Sequence, residues 1–483
     1  MLAATWIYVS IFLLAFALVT RAMQSIDAFG AIAGDTSARA CAINSAALGR
    51  ALAAANMGVS QDERTVLVPA NKEYHVFSTN ASGLISVEIK IRGTLILSDN
   101  ISAWPVVNKI YNPMLLFKNC TNLIITGQGK NGESVGVLEG QGYNWWVAVF
   151  ENKLKFDRPH LIEIDESVNI SIFHLHLKDS PRYHISIDDA VGVEVGFVTI
   201  TVNVIKQKAL YKRYDLLLSP EIPIPIFPLN TDGIDIAAKD VYVHDCSVEN
   251  FDDSVCVKPA HQGWIYSQCT ENFLVERIHQ SLGVGMSIGS VPPSDQVNCV
   301  RNVTFRDMVF TKPFKAIYVK TNPGDQGSGI ISNVLYENIM IDTPIWWGIY
   351  IGPQQQEQPG RVGPGCMLYP IKHDCPTQPL VTLENFTLRN VSIHNGVLFP
   401  GILRCNATNP CRNFTFDNVH VRDWDIGKSQ GYICENIFGS YSNSTPPPSC
   451  FQHPDHDILR EDGILIPDKI VREDAEKGQN AKA

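Results

Sequence analysis

The chain has 483 residues, 45% of them hydrophobic and 18% charged, with a formal net charge of −10. That balance describes an ordered protein able to bury a large core, and it argues against nucleic acid as a partner, because no basic stripe is available to neutralise phosphates. An acidic ligand would have to be held by local Lys or Arg.

In chain order, residues 1–22 read first as a targeting segment. Ala3 to Thr20 is almost wholly apolar, and Thr20-Arg21-Ala22 offers small residues at a cleavage site. The alternative is an uncleaved signal anchor, since a stretch of this length nearly spans a bilayer and no Lys or Arg precedes it. No later segment is long and apolar enough to cross a membrane. The Ala-rich stretch Cys41 to Met57 has helical periodicity and is expected to cap whatever follows.

From there on the chain repeats. Short strands begin at Val168, Val191, Val241, Phe273, Val303, Val334, Phe386 and Phe414, mostly 23 to 32 residues apart. Two gaps are nearly double, and each holds a Pro-rich insertion, Lys206 to Pro228 and Gly352 to Pro379. A second strand class interleaves at Ile234, Val255, Met286 and Ile317. Short strands at a fixed period, with no helical apolar spacing between them, predict an all-β solenoid of stacked rungs over residues 28–453. A β-sandwich would instead show hairpins with tight two-residue turns. The Ala-rich helix would close the first rung, where an open edge invites pairing with other chains. Residues 454–483 turn polar and read as a tail.

Twelve cysteines include candidate pairs Cys269 with Cys299, Cys366 with Cys375, Cys405 with Cys411 and Cys434 with Cys450, as expected of an extracellular chain. Cys246 and Cys256 fall within strands and read as buried thiols. Ten Asn-X-Ser/Thr sequons, at Asn80, Asn100, Asn119, Asn169, Asn302, Asn385, Asn390, Asn406, Asn413 and Asn443, are either glycan acceptors or turn-to-strand signatures. Two tryptophan pairs invite a sugar-platform reading: Trp145-Trp146, where internal stacking is preferred, and Trp346-Trp347, where both readings stand.

The chemistry is concentrated in Asn230-Thr231-Asp232-Gly233-Ile234-Asp235 and, 20 residues after Asp232, in Asp252-Asp253. Glycoside hydrolysis needs one carboxyl that keeps its proton for the leaving oxygen and one that is ionised to activate water. Turn punctuation is the competing reading, since Asp-Gly and Asp-Asp are common in β proteins. Stacked rungs would align Asp232, Asp252-Asp253, the turn Gly283-Val284-Gly285 and Tyr318-Val319-Lys320 along one groove. A regular strand would send Asp252 and Asp253 to opposite faces, so the pair must lie at a strand end or bulge. Crowded carboxyls cannot all ionise independently, and one should hold its proton to higher pH.

These motifs, in order, resemble glycoside hydrolase family 28, the polygalacturonases and rhamnogalacturonan hydrolases. The resemblance runs from about Ala28 to Val421. It is carried by Ile125-Thr126-Gly127, Gly140 to Trp146, Asp179-Ser180-Pro181, Asn230 to Asp235, Asp252-Asp253, Gly283 to Ser290 and Tyr318 to Lys320. It implies a right-handed parallel β-helix and inverting hydrolysis of pectin's galacturonate-containing backbone. Asp252 would be the general acid, with Asp232 and Asp253 holding and activating the water. Asn230, Gly283, Gly285, Tyr318 and Lys320 would bind substrate. No metal and no cofactor are implied, and the expected partner is a pectic polysaccharide, the substrate of a secreted monomer that is free of the membrane once the signal is cut.

The chain departs from the family in three places. Val284 stands where polygalacturonases have the His of Gly-His-Gly, and Tyr318 where they have the Arg of Arg-Ile-Lys. Ser254 and Gln280 stand where the family often has a cysteine pair. Losing the Arg removes bidentate carboxylate recognition, and Lys320 keeps one positive contact. The departures keep a rhamnogalacturonan hydrolase or exo-rhamnosidase, and a non-catalytic pectin-binding homologue, in view as rivals. A pectate lyase would need a calcium site and a strong Arg or Lys base.

Overall fold

The computed structural model describes residues 22–203, 229–355, 365–423 and 431–451, apart from single positions 130, 262, 267, 367, 368, 370 and 397, and two short strands at 457–459 and 465–467. The expected signal segment (all but Ala22), the insertion Lys206 to Pro228, the middle of the insertion Gly352 to Pro379 and most of the polar tail lie outside the described residues.

Among the described residues, twenty-six strands form one parallel sheet that winds as a coil, each strand between the ends pairing with neighbours one turn before and after. The coil is the expected parallel β-helix. The long-period repeat is set by an inward row, Leu123, Ile170, Val193, Val241, Phe273, Val303, Val334, Phe386 and Phe414, each the register partner of the next. From Val241 onward the predicted residues are the register partners themselves. In the two earlier rungs the partners are Ile170 and Val193, two residues past the predicted starts and on the same face. No rung can bury these side chains alone. Stacking at about 4.8 Å joins them into one core, with rings such as Phe386 and Phe414 stacked at 4.7 Å.

The second strand class lies in register as read. We label β1 Ile185–Gly196, β2 Ile234–Asn250, β3 Val255–Val257, β4 Met286–Val291, β5 Lys315–Thr321 and β6 Trp347–Gln354. Ile185, Ile234, Val255, Met286, Ile317 and Ile349 form its inward row.

One end is closed by α1, Ala38–Asn56. Ser37 caps it by accepting a hydrogen bond from the Ala40 amide, and Ala40, Ala47, Leu48, Ala51, Leu52 and Ala55 form its buried stripe. Among the described residues no helix is long and apolar enough to cross a membrane. The four predicted cysteine pairs are all disulfides, and Cys246 and Cys256 are buried free thiols. Trp145 and Trp146 are fully buried in a short helix, Tyr143–Phe150, that the sequence reading did not anticipate. Trp347 is also fully buried, and only Trp346 of that pair is partly exposed.

At the turns, asparagines stack. Asn272, Asn302, Asn333, Asn385 and Asn413 each donate a side-chain amide to the residue one rung back, beginning with Asp240. Asn338, Asn390, Asn418 and Asn443 form a second ladder on Asp307. All nine adopt positive φ, a conformation asparagine tolerates better than most residues. Five of the ten sequons lie in these ladders, which supports the turn-to-strand reading there.

Candidate active site

The site lies on the outer face of β1 to β6. Two residues ahead of the inward row Ile185, Ile234, Val255, Met286, Ile317 come Tyr183, Asp232, Asp253, Val284 and Lys315. The residues between include Gly233, Ser254 and Gly285. A Cβ at Gly233 would collide with the Ser254 carbonyl, and one at Gly285 with the Ala316 carbonyl. Small residues therefore let the rungs close up while the preceding side chain turns outward. Asp252 and Asp253 sit in a bend just before β3, which frees them from strand alternation. Carboxylate oxygens of Asp232, Asp252 and Asp253 lie within 4.8 Å of one another.

Each carboxylate has a different environment. Asp253 is 1% exposed; its Oδ2 lies 2.6 Å from Lys320 Nζ, and its Oδ1 accepts from Ser287 Oγ at 2.6 Å. Burial pushes its pKa up, but Lys320, Lys258 and the Ser287 hydrogen bond outweigh that and hold it below the usual carboxylate range. Asp252 is only half-buried. Its oxygens accept from the amides of Asn230 (2.7 Å) and Asp253 (2.9 Å). Burial and the neighbouring Asp253 charge raise its pKa. Asp232 is raised well above the usual range by burial and by Asp252 and Asp235, and its Oδ1 is buried without a partner. Asp235 is pushed up to about 6 by burial, in spite of Lys258 Nζ 3.0 Å away. The cluster therefore sets carboxyls that favour the protonated form beside one that favours the ionised form.

The backbone around it is fixed. The Asn250 side-chain amide donates to the carbonyls of Thr231 (3.0 Å) and Asp253 (2.8 Å), tying the two acidic turns together. Fully buried His184 donates from Nδ1 to the Asp232 carbonyl at 2.9 Å. Burial pushes its pKa down to about 4, so it is a neutral prop. The three carboxylates could offer oxygens to a hard cation. However, all four oxygens of Asp252 and Asp253 already accept hydrogen bonds, and two lysines supply positive charge. The donor set fits proton transfer better than a metal cage.

All the residues named from sequence converge here, in differing capacities. Asn230 adopts φ 63° and presents its amide to Asp252. Gly283 and Gly285 have φ 69° and 105°, and a Cβ at Gly283 would strike the Asn250 and Ser254 side chains. These glycines shape the turn that abuts the acids. Tyr318 is 3% exposed, in an outward apolar cluster with Val284, Trp347 and Tyr350. Lys320 is equally buried, with its ammonium engaged by Asp253.

Sequence reasoning named Lys320 but missed the roles of three further cations. Lys258 pairs with Asp235 and lies 4.0 Å from Asp232 Oδ2. Arg158, 6% exposed, donates from Nη2 to Asn230 Oδ1 at 3.2 Å. Lys315, 5% exposed, lies over the rings of Tyr318 and Tyr350. For Lys315 the sequence held a signal: it precedes Ile317 by two residues, as Asp253 precedes Val255. Arg158 comes from a loop with no periodic position. A cleft of about 240 Å³ lined by Tyr183, Asp188, Asp235, Lys258, His261 and Asn322 opens beside the cluster.

Residues 59–444 match the model of the glycosyl hydrolases family 28. A "Probable rhamnogalacturonase C" of Aspergillus niger is 26% identical over 335 residues, 68% of this chain and 57% of that protein. A polygalacturonase of Juniperus ashei is 26% identical over 404 residues, covering 80% of this chain and 67% of that one. The chain thus spans little more than half the length of the fungal relative and about two thirds of the conifer one. Among solved structures, the endo-xylogalacturonan hydrolase of Aspergillus tubingensis superposes with a TM-score of 0.62 at 19% identity, over 85% of this chain and 95% of that one. A polygalacturonase from Erwinia carotovora ssp. carotovora gives 0.60 at 18%, over 87% and 96%. These likenesses identify the coil as the right-handed parallel β-helix.

Proposed function

The chain belongs to the glycosyl hydrolases family 28, and on that premise we propose that it is a secreted hydrolase of pectin's galacturonate-containing backbone. The observation that carries the reading is one trio of carboxylates with opposite pKa shifts: Asp253 lowered, Asp232 and Asp252 raised. Of the two whose pKa is raised, Asp252 is the more exposed and, when protonated, delivers its proton to the leaving glycosidic oxygen as the C1–O bond breaks. A water oxygen forms the new bond to C1. Its proton passes to Asp253, which Lys320 and Ser287 keep ionised, and Asp232 orients the water. Lys320 then acts through Asp253 as a positioning residue. The four disulfides support export.

Inversion rests on the family. Single-displacement glycosidases usually hold acid and base about 6.5–9.5 Å apart, and the nearest oxygens here are closer than that. The experiment is release of reducing ends from polygalacturonic acid and from rhamnogalacturonan in parallel, with Asp252→Asn as the blank and the first product's anomeric configuration read by NMR. Release from either polymer with inverted anomer supports the reading. Binding without release moves the non-catalytic homologue to the front.

A further inference from the structure

The family's substrate is acidic, and an acidic cleft repels it unless cations remain free to meet its carboxylates. Lys320 and Lys258 are not free: each is ion-paired to an aspartate of the site. Two buried cations beside the cluster have no carboxylate ion pair among the described residues. Arg158 stands on the N-terminal side, donating to Asn230, whose own amide holds Asp252. Its field reaches Asp232 and Asp252. Lys315 stands on the C-terminal side, two rungs beyond Asp253, about 10 Å at the usual rung spacing, and its field reaches Asp253 and Asp252. Asp252 therefore lies between them.

Among the described residues, Lys315 is held at Nζ by rings alone. Its Nζ lies 3.7 Å from the ring centre of Tyr318 and 4.4 Å from that of Tyr350. Aromatic faces steady a cation without neutralising it, so the charge is left for an incoming anion. Tyr318, which cannot itself grip a carboxylate as an arginine would, thus supports a lysine that can.

We infer that Arg158 and Lys315 are receptor sites for two uronate carboxylates on opposite sides of the bond cleaved. This rests on the hydrolase reading above and specifies its substrate. A backbone in which every second sugar is neutral offers a carboxylate to only one side of the cut. A continuous run of galacturonates fills both. The substrate assigned is therefore unesterified homogalacturonan, even though Val284 and Tyr318 depart from the usual polygalacturonase residues.

Lys315 adds a pH signature. Burial, then the nearby Lys320 charge, brings its pKa down to about 7. A bound carboxylate favours its charged form, so substrate affinity should weaken as pH rises through that value.

The test uses the Asp252→Asn protein, whose turnover should be slow enough for a binding titration, titrated calorimetrically with trigalacturonate and with its methyl ester. Adding Lys315→Met should weaken the acid trimer about 10- to 100-fold, the worth of a hydrogen bond to a charged group, and leave the ester unchanged. Arg158→Met should do the same. In the active enzyme, Lys315→Arg should keep acid-trimer affinity and abolish the rise of KM above neutral pH, because a guanidinium stays charged. Lys315→Met should fold, since it removes a buried unpaired charge and keeps a similar shape. Equal effects on acid and ester, or none on either, would overturn the assignment and leave hydrolysis standing. Selective loss of acid-trimer binding with no turnover by the native protein would support the receptor sites and sink the hydrolase reading.

Discussion

The turns that carry the asparagine ladders and the row that carries the aspartates are built on the same stacked repeat, yet they behave oppositely. An amide has a donor and an acceptor, so copies translated by one rung satisfy one another: Asn333 donates to Asn302 and accepts from Asn385. A carboxylate only accepts. Stacking Asp232 on Asp253 creates repulsion that a proton or a cation must relieve, and both are used, with Lys320 at Asp253 and raised pKa values at Asp232 and Asp252. Geometry supplies the alignment, and the chemistry of the repeated group decides whether the alignment is scaffold or site.

The sharpest way to break this contrast is at the aspartates. Asp252→Asn removes the proton donor and should lower kcat by about 10²- to 10⁴-fold, with an unchanged circular dichroism spectrum. Near-normal turnover would show that the proton comes from elsewhere.

Next in size is Lys320→Met. It strands Asp253 as a buried carboxylate without its cation, which should cost about 3–5 kcal/mol in a urea unfolding curve. The lowered Asp253 contributes stability that is present above its unfolded pKa and lost as pH falls through its folded one. That contribution should vanish in the variant, and the acid limb of the activity profile should move to higher pH. A rise in KM alone, with stability intact, would return Lys320 to the role of substrate contact.

On the ladder side, Asn333→Ala should cost about 1–2 kcal/mol, through a left-handed backbone that alanine resists and two lost amide bonds. Asn333→Gly should cost less. Both should retain kcat, since the ladder carries no chemistry.

The smallest effect has the opposite sign. Asp232→Asn should slow turnover by misplacing the water yet raise stability by about 0.5–2 kcal/mol at neutral pH. The raised folded pKa of Asp232 means that the native protein loses stability as pH rises through that value. Asparagine cannot ionise, so the gain measured by Tm should grow with pH and disappear in acid.

How far each half was legible follows from the same physics. Inward rows repeat an apolar residue at every rung, so Val241, Phe273 and Val303 announced themselves by period. In the first rungs, where Ile170 and Val193 are the true partners, several β-branched residues at alternate positions blurred the register by two. The aspartates were legible as motifs because Asp232 and Asp253 keep nearly one period between them. The pairing of Lys320 with Asp253, 67 residues away, was not, because stacking put both along one groove without fixing which aspartate the long lysine side chain would reach. Asn302 and Asn385 could not be told from glycan acceptors, since the same tripeptide serves both; the ladder contacts show only that these side chains serve the turns.

The most direct test is the titration of the aspartate side-chain carboxyls, followed by ¹³C NMR across the acid and neutral range, with Asp232→Asn, Asp252→Asn and Asp253→Asn used to assign the signals. One carboxyl, Asp253, should be ionised below the usual carboxylate range, while Asp232 and Asp252 titrate above it in coupled steps. Three carboxyls titrating together at ordinary values would contradict the division of labour on which the proposed acid–base chemistry depends.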